Sequence, residues 1–177
     1  MKSSMIWVII ICIVIAISLI VLFSKTDKSS SKDMLSDSDI NDCIIYLWIN
    51  YDSNNTYTKE QLVVIALTAY DSEINNGGLC QFFSNSSNEF APNISNYLEQ
   101  IKALKHKEQF DKFIKANKIN LNELEQYETD SIEDFIDKYD DLPFEDFDRE
   151  YYELEQEESI TNLLIEYTKT NYNKIIK

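Results

Sequence analysis

The sequence predicts an all-α protein: an N-terminal single transmembrane helix followed by a compact domain of about seven or eight short helices. Three observations carry this expectation. The 177 residues include only two glycines and two prolines, the residues that most often interrupt a helix. Apolar side chains recur at helical spacing in segment after segment, and no alternating strand pattern of useful length appears. Residues 5–23 contain no charged side chain and are nearly all Ile, Val and Leu.

As a helix, that first run extends roughly 28 Å, close to the hydrocarbon thickness of a bilayer. It is too long for the apolar region of a signal peptide, and no small-x-small cleavage pattern precedes Lys25. Cys12 follows three isoleucines with no small residue before it, which does not fit lipoprotein processing. The expected organisation is a transmembrane anchor over residues 1–24, a flexible tether rich in Ser, Lys and Asp over 25–38, and an acidic helical domain over 39–177. Lys25, Lys28 and Lys32 follow the span and Lys2 precedes it. By the positive-inside rule this balance leans towards a cytoplasmic domain, although a short Lys-bearing head argues the other way.

Within the domain, Ile40, Ile44, Leu47 and Tyr51 fall on one face of a first helix. Thr58-Lys59-Glu60-Gln61 fits a capping box, in which the threonine hydroxyl and the Gln61 side chain satisfy N–H groups left open at a helix start. The helix it opens is apolar nearly all round (Leu62, Val63, Val64, Ile65, Leu67) and belongs at the centre of the core. Gly77 and Gly78 stop it, and Pro92 suits the first turn of a later helix. Further stripes are Ile94/Tyr97/Leu98/Ile101, Phe110/Phe113/Ile114, Ile132/Phe135/Ile136/Tyr139, Phe144/Phe147/Tyr151/Leu154 and Ile160/Leu163/Leu164/Tyr167.

The formal net charge is −15, and its distribution is uneven. Lys102, Lys105, Lys107, Lys112, Lys115 and Lys118 form a basic stretch. Residues 121–158 then hold 17 Asp and Glu against Lys138 and Arg149, so this region alone matches the net charge of the chain. Asp146, Glu150, Glu153 and Glu157 lie opposite the apolar stripe of their helix. Glu133, Asp134, Asp137, Asp140 and Asp141 likewise avoid the apolar face of the helix before it. Stacked like charges cost a few tenths of a kcal/mol per pair. Three readings fit: a solvated face, a face covered by the lysine-rich stretch, or a docking surface for a basic partner. One helix gives a charge per about 4 Å, against one per ~1.7 Å in duplex DNA, so a DNA-like potential needs several acidic helices side by side.

This composition excludes several function classes. Two adjacent glycines build neither a P-loop nor a dinucleotide fingerprint. One histidine leaves no His-rich metal site, and the acidic balance disfavours direct binding of nucleic acid. No catalytic residue, cofactor or metal is therefore assigned. The least generic segment runs Glu73-Ile74-Asn75-Asn76-Gly77-Gly78-Leu79-Cys80-Gln81-Phe82-Phe83-Ser84-Asn85. It resembles a bacterial family of small acidic all-helical proteins typified by a DNA-mimic protein, whose members share an E-x-N-N-G-G-x-x-Q-F-F-x-N core. Phe147-Asp148-Arg149-Glu150-Tyr151-Tyr152 resembles that family's acidic-aromatic helix, and Leu164 to Tyr167 with Asn171 its closing helix. The likeness covers about residues 40–171.

The resemblance implies an all-α fold, dimerisation, and an acidic face that occupies the DNA-binding surface of a transcription regulator. On it, Glu73, Asn76, Gly77, Gly78, Gln81, Phe82, Phe83 and Asn85 form a structural signature. The expected function is a membrane-anchored binding module presenting a phosphate-like face to a basic, DNA-binding protein. Glu133, Asp134, Asp137, Asp140, Asp141, Asp146, Glu150, Glu153 and Glu157 are the candidate face, with Tyr152 as a candidate interface aromatic. The alternatives are an immunity-type inhibitor of a toxin nuclease, a structural membrane protein, or an enzyme using paired carboxylates (Glu73 with Gln81 and Asn85, or Asp140 with Asp141). His106, between two lysines, is expected at an exposed helix end. Cys43 and Cys80 read most simply as small core residues.

Overall fold

The computed structural model describes residues 36–129 and 131–176. Among them the secondary structure is entirely helical: α1 (Asp37–Ile49), α2 (Lys59–Ser84), α3 (Ala91–Gln100), α4 (Leu104–Asn117), α5 (Ile132–Asp140), α6 (Phe144–Glu155) and α7 (Ile160–Ile175), with 3-10 turns at Ser86–Phe90 and Glu125–Tyr127. Asp37–Lys177 forms one unit. The all-α class agrees with the apolar periodicity; the membrane element does not carry over. The expected span over residues 5–23 lies outside the described residues. Among the described residues no helix is long and apolar enough to cross a membrane. The physical reason is plain in the longest helix, α2: Asp71, Glu73 and a break at Gly77–Gly78 interrupt its 26 residues. The fold class is corrected to all-α, and the expected single-pass membrane location with its cytoplasmic orientation is withdrawn with the anchor.

Helix α2 is the hub. Val63, Val64, Ile65, Ala66 and Leu67 are all buried, so every side of its first half meets another element. α1 and α7 pack along that half, and α3 and α6 cover other sides. Its start is built as the capping box requires: Gln61 N–H donates to Thr58 Oγ1 at 3.1 Å, and Thr58 N–H donates to Gln61 Oε1 at 2.8 Å. The same turn is joined to the far end of α7. Gln61 Nε2 donates to the Ile175 carbonyl at 2.8 Å, Thr58 Oγ1 to that of Lys174 at 3.2 Å, and Lys174 pairs with Glu60 at 2.7 Å.

The glycines act as expected, with one refinement. Helical geometry breaks at Gly77 (φ −158°, ψ 22°) and Gly78 (φ 80°, ψ −178°), then resumes at once, carrying Leu79, Cys80, Phe82 and Phe83 into the core. Tyr70 meets Phe82 edge-on at 5.1 Å, and Phe113 packs on Phe144 at 5.5 Å. Pro92 sits in the first turn of α3. Both Cys43 and Cys80 are free thiols, and burial pushes Cys80 up to about 11.

One expected core stripe fails. In α5, Phe135 and Tyr139 lean against the core, but Ile132 and Ile136 are 77% and 54% exposed, and no residue of the helix is fully buried. α5 packs chiefly on α6, its neighbour across a short turn, and that contact covers too little of the helix to enclose all four apolar side chains.

Candidate functional site

The glycine break and the acidic helices meet at Asp148 of α6. At Gly78 the positive φ is one that only glycine adopts freely. Just after it, Leu79 N–H donates to Asp148 Oδ1 at 2.9 Å. Tyr139 of α5 donates its hydroxyl to Asp148 Oδ2 at 3.0 Å. One buried carboxylate thus joins α2, α5 and α6. Burial raises the pKa of Asp148 above the usual carboxylate value, and the Leu79 and Tyr139 hydrogen bonds oppose that rise.

The rest of the motif clasps the same break from the other side. Glu73 Oε2 accepts from Gln81 Nε2 at 2.6 Å and Asn85 Nδ2 at 2.8 Å, and Oε1 accepts from Ser87 Oγ at 3.2 Å. Gly77 leaves room for Gln81: a Cβ at Gly77 would fall 2.0 Å from Gln81 Oε1. Phe82 and Phe83 are core residues, while Asn76 is exposed beside an open pocket of about 580 Å³ shared with Gly77, Tyr139, Arg149 and Tyr152. Gln81 and Asn85 offer Glu73 their N–H groups, so this trio is a hydrogen-bonded clasp rather than a set of oxygen ligands. Among the described residues no group of three or more His, Cys, Asp or Glu is placed to hold a metal ion.

In the acidic region the carboxylates divide into two populations. Asp148, Glu155 and Glu158 work inside the fold. Glu158 Oε2 accepts from the N–H groups of Lys105 at 2.8 Å and His106 at 3.2 Å, capping the start of α4. Glu155 Oε1 accepts from Ile160 N–H at 2.9 Å at the start of α7 and lies 3.2 Å from His106 Nε2. His106 itself is fully buried, its Nε2 2.9 Å from the Glu158 carbonyl and its ring 4.8 Å from that of Tyr151. The expected exposed position is therefore wrong. The flanking lysines misdirect, whereas the helical register does not: His106, Gln109, Phe110 and Phe113 share one buried face.

The second population faces water. Glu133, Asp137, Asp140, Asp141, Asp146, Glu150, Glu153 and Glu157 are all exposed, and Asp134 is half-buried. Asp146 pairs with Arg149, and Glu157 with Lys105. Glu133, Asp137, Asp140, Asp141, Glu150 and Glu153 form no ion pair among the described residues. The lysine-bearing helix α4 packs on α6 through its buried face, but among its described lysine side chains Lys105 alone forms an ion pair with the acidic region. Lys107 pairs with Asp111 in its own helix, and Lys112, Lys115 and Lys118 pair with no described carboxylate. Tyr152 is 44% exposed and donates its hydroxyl to the Ile74 carbonyl at 2.9 Å, which fixes it beside the break. A half-buried acid escaped notice in the sequence: Asp71 accepts from Tyr151 Oη at 2.6 Å, and desolvation raises its pKa.

A glycine-broken central helix, latched by one buried carboxylate and flanked by helices bearing unpaired carboxylates, defines a small acidic all-helical protein class. The model of one family, described as DMP19-like protein, matches residues 55–171. The chain belongs to the DMP19-like family, a family of DNA mimics. No match was found among curated proteins or among solved structures.

Proposed function

We propose that the chain is a protein-binding module whose acidic helices α5 and α6 imitate DNA phosphates and occupy the DNA-binding surface of a basic protein. The observation that carries this reading is the set of six exposed carboxylates without ion pairs among the described residues, Glu133, Asp137, Asp140, Asp141, Glu150 and Glu153, in a member of a DNA-mimic family. A face built only for solubility would intersperse cations and relieve the like-charge cost. Here Arg149 is committed to Asp146, and Lys138 pairs with no described carboxylate. In this reading the protein binds and does not catalyse.

The test is capture of proteins from a heparin-retained bacterial fraction at about 50 mM salt, where surface electrostatics are screened least. The immobilised wild-type protein is expected to retain DNA-binding proteins that duplex DNA or about 300 mM salt then releases. A variant with those six carboxylates changed to Asn or Gln is expected to retain at least about tenfold less, the loss of steering and complementarity together. Equal capture by the neutralised variant, or no DNA-binding protein on the wild type, overturns the proposal.

A further inference from the structure

Ile132 and Ile136 are exposed and stand outside the core cluster of the described residues. At about 100° per residue they stand side by side on α5, between the inward-leaning Phe135 and Tyr139 on one flank and Asp140, Glu133 and Asp137 on the other. Isoleucine is a weaker helix former than Glu, Lys or Gln, because its branched side chain restricts χ1. A helix nine residues long gains nothing in water by carrying two of them outward.

Resting on the proposed binding role of the acidic helices, we infer that this face of α5 seats a basic amphipathic helix of the partner protein. The partner's apolar residues cover Ile132 and Ile136, and its lysines or arginines meet Asp140, Glu133 and Asp137. Charge complementarity fixes the occupant. The apolar pair is bordered along one side by carboxylates that form no ion pair among the described residues, so a neutral apolar surface would desolvate them unpaired. A helix meets the geometry because residues at i and i+4 on both partners interdigitate as ridges into grooves. Helices that read the DNA major groove expose such a basic face when free of DNA. Recognition on this face therefore combines phosphate-like charge with an apolar anchor that DNA itself lacks.

Two synthetic helical peptides test this: a lysine-rich one with leucines at i and i+4 on one face, and the same peptide with both leucines replaced by glutamine. Fluorescence anisotropy at about 50 mM salt is expected to show the leucine peptide binding the full chain about tenfold more tightly, as partial burial of two apolar pairs implies. Ile132→Gln with Ile136→Gln is expected to erase that preference, leave binding of the glutamine peptide unchanged, and leave the circular dichroism spectrum unaltered, since both side chains are exposed. Equal binding of the two peptides to the wild type overturns the inference while leaving charge-based mimicry standing. Binding of neither peptide removes both. If the isoleucine variants change self-association in sedimentation without changing peptide preference, the face belongs to a second copy of this chain and the inference fails.

Discussion

Replacing Gly78 by alanine strains the molecule at one defined point. The residue holds φ 80° and ψ −178°, a region essentially reserved for glycine, where a side chain costs roughly 1–3 kcal/mol. The added Cβ would also fall 2.1 Å from Asp148 Oδ2, an overlap with a carboxylate held in place by Leu79 N–H and Tyr139 Oη. Moving that carboxylate leaves buried polar groups short of a partner, at about 1–3 kcal/mol. Together Gly78→Ala should cost about 2–6 kcal/mol, a large part of the stability of a domain this size. Urea unfolding followed by circular dichroism measures it. Gly77→Ala is the internal comparison: its φ of −158° suits any residue, so it carries no backbone strain and its cost, the displacement of the Gln81 side chain alone, should be smaller. The clash can be isolated by a double-mutant cycle in an Asp148→Ser background, where Gly78→Ala should retain only the backbone cost. A cost for Gly78→Ala below about 1 kcal/mol, or one unchanged by Asp148→Ser, would show that the latch does not hold the break as described.

Two further outcomes follow from the carboxylates bonded within the fold. Asp71 and Asp148 both have pKa values raised by burial, so their contribution to stability is fully present below the unfolded carboxylate value near 4 and is lost as pH rises through the folded value. Repulsion among the exposed carboxylates weakens in the same direction, so the melting temperature should rise as pH falls from about 7 to about 5, and Asp148→Asn should flatten the rise; a fall over that interval refutes the assignment. Glu73→Leu should destabilise by about 2 kcal/mol, because the Gln81 and Asn85 amides lose their shared acceptor, whereas Glu73→Gln, whose oxygen can still accept both, should cost about half as much; equal effects in chemical denaturation would count against the clasp.

Much of the fold was legible because it is written in local patterns. The capping box at Thr58, the apolar belt of α2, the proline of α3 and the stripes of α6 and α7 each depend on residues within a turn or two of one another. What local pattern does not carry is the choice among neighbours. Ile132 and Ile136 match a buried stripe as well as Phe135 and Tyr139 do, and only the narrow contact of α5 with α6 decides that two of the four stay out. Asp148 looks like one more surface acid until Leu79, 69 residues away, is brought to it. The acidic tally misleads for the same reason, since Asp148, Glu155 and Glu158 count towards the charge yet serve as caps and latches. The division of carboxylates into bonded and unpaired sets is a tertiary property. The resemblance to the DNA-mimic family, drawn from the motif, led to the family that the match over residues 55–171 establishes.

The stitching of α2 to α7 bears on how the chain comes to fold. The hub helix begins near the front of the unit, yet the groups that finish its first turn, the carbonyls of Lys174 and Ile175, lie 116 and 114 residues further along. During synthesis the most apolar segment of the described residues therefore emerges long before the helix that closes over it. Local helix formation can proceed, but the core cannot close piece by piece from its leading end, because ordering so long an intervening loop is repaid only when α7 docks. The nascent chain holds the α7-facing side of α2 uncovered through the making of the acidic helices, and mutual repulsion among those helices disfavours association of unfinished chains.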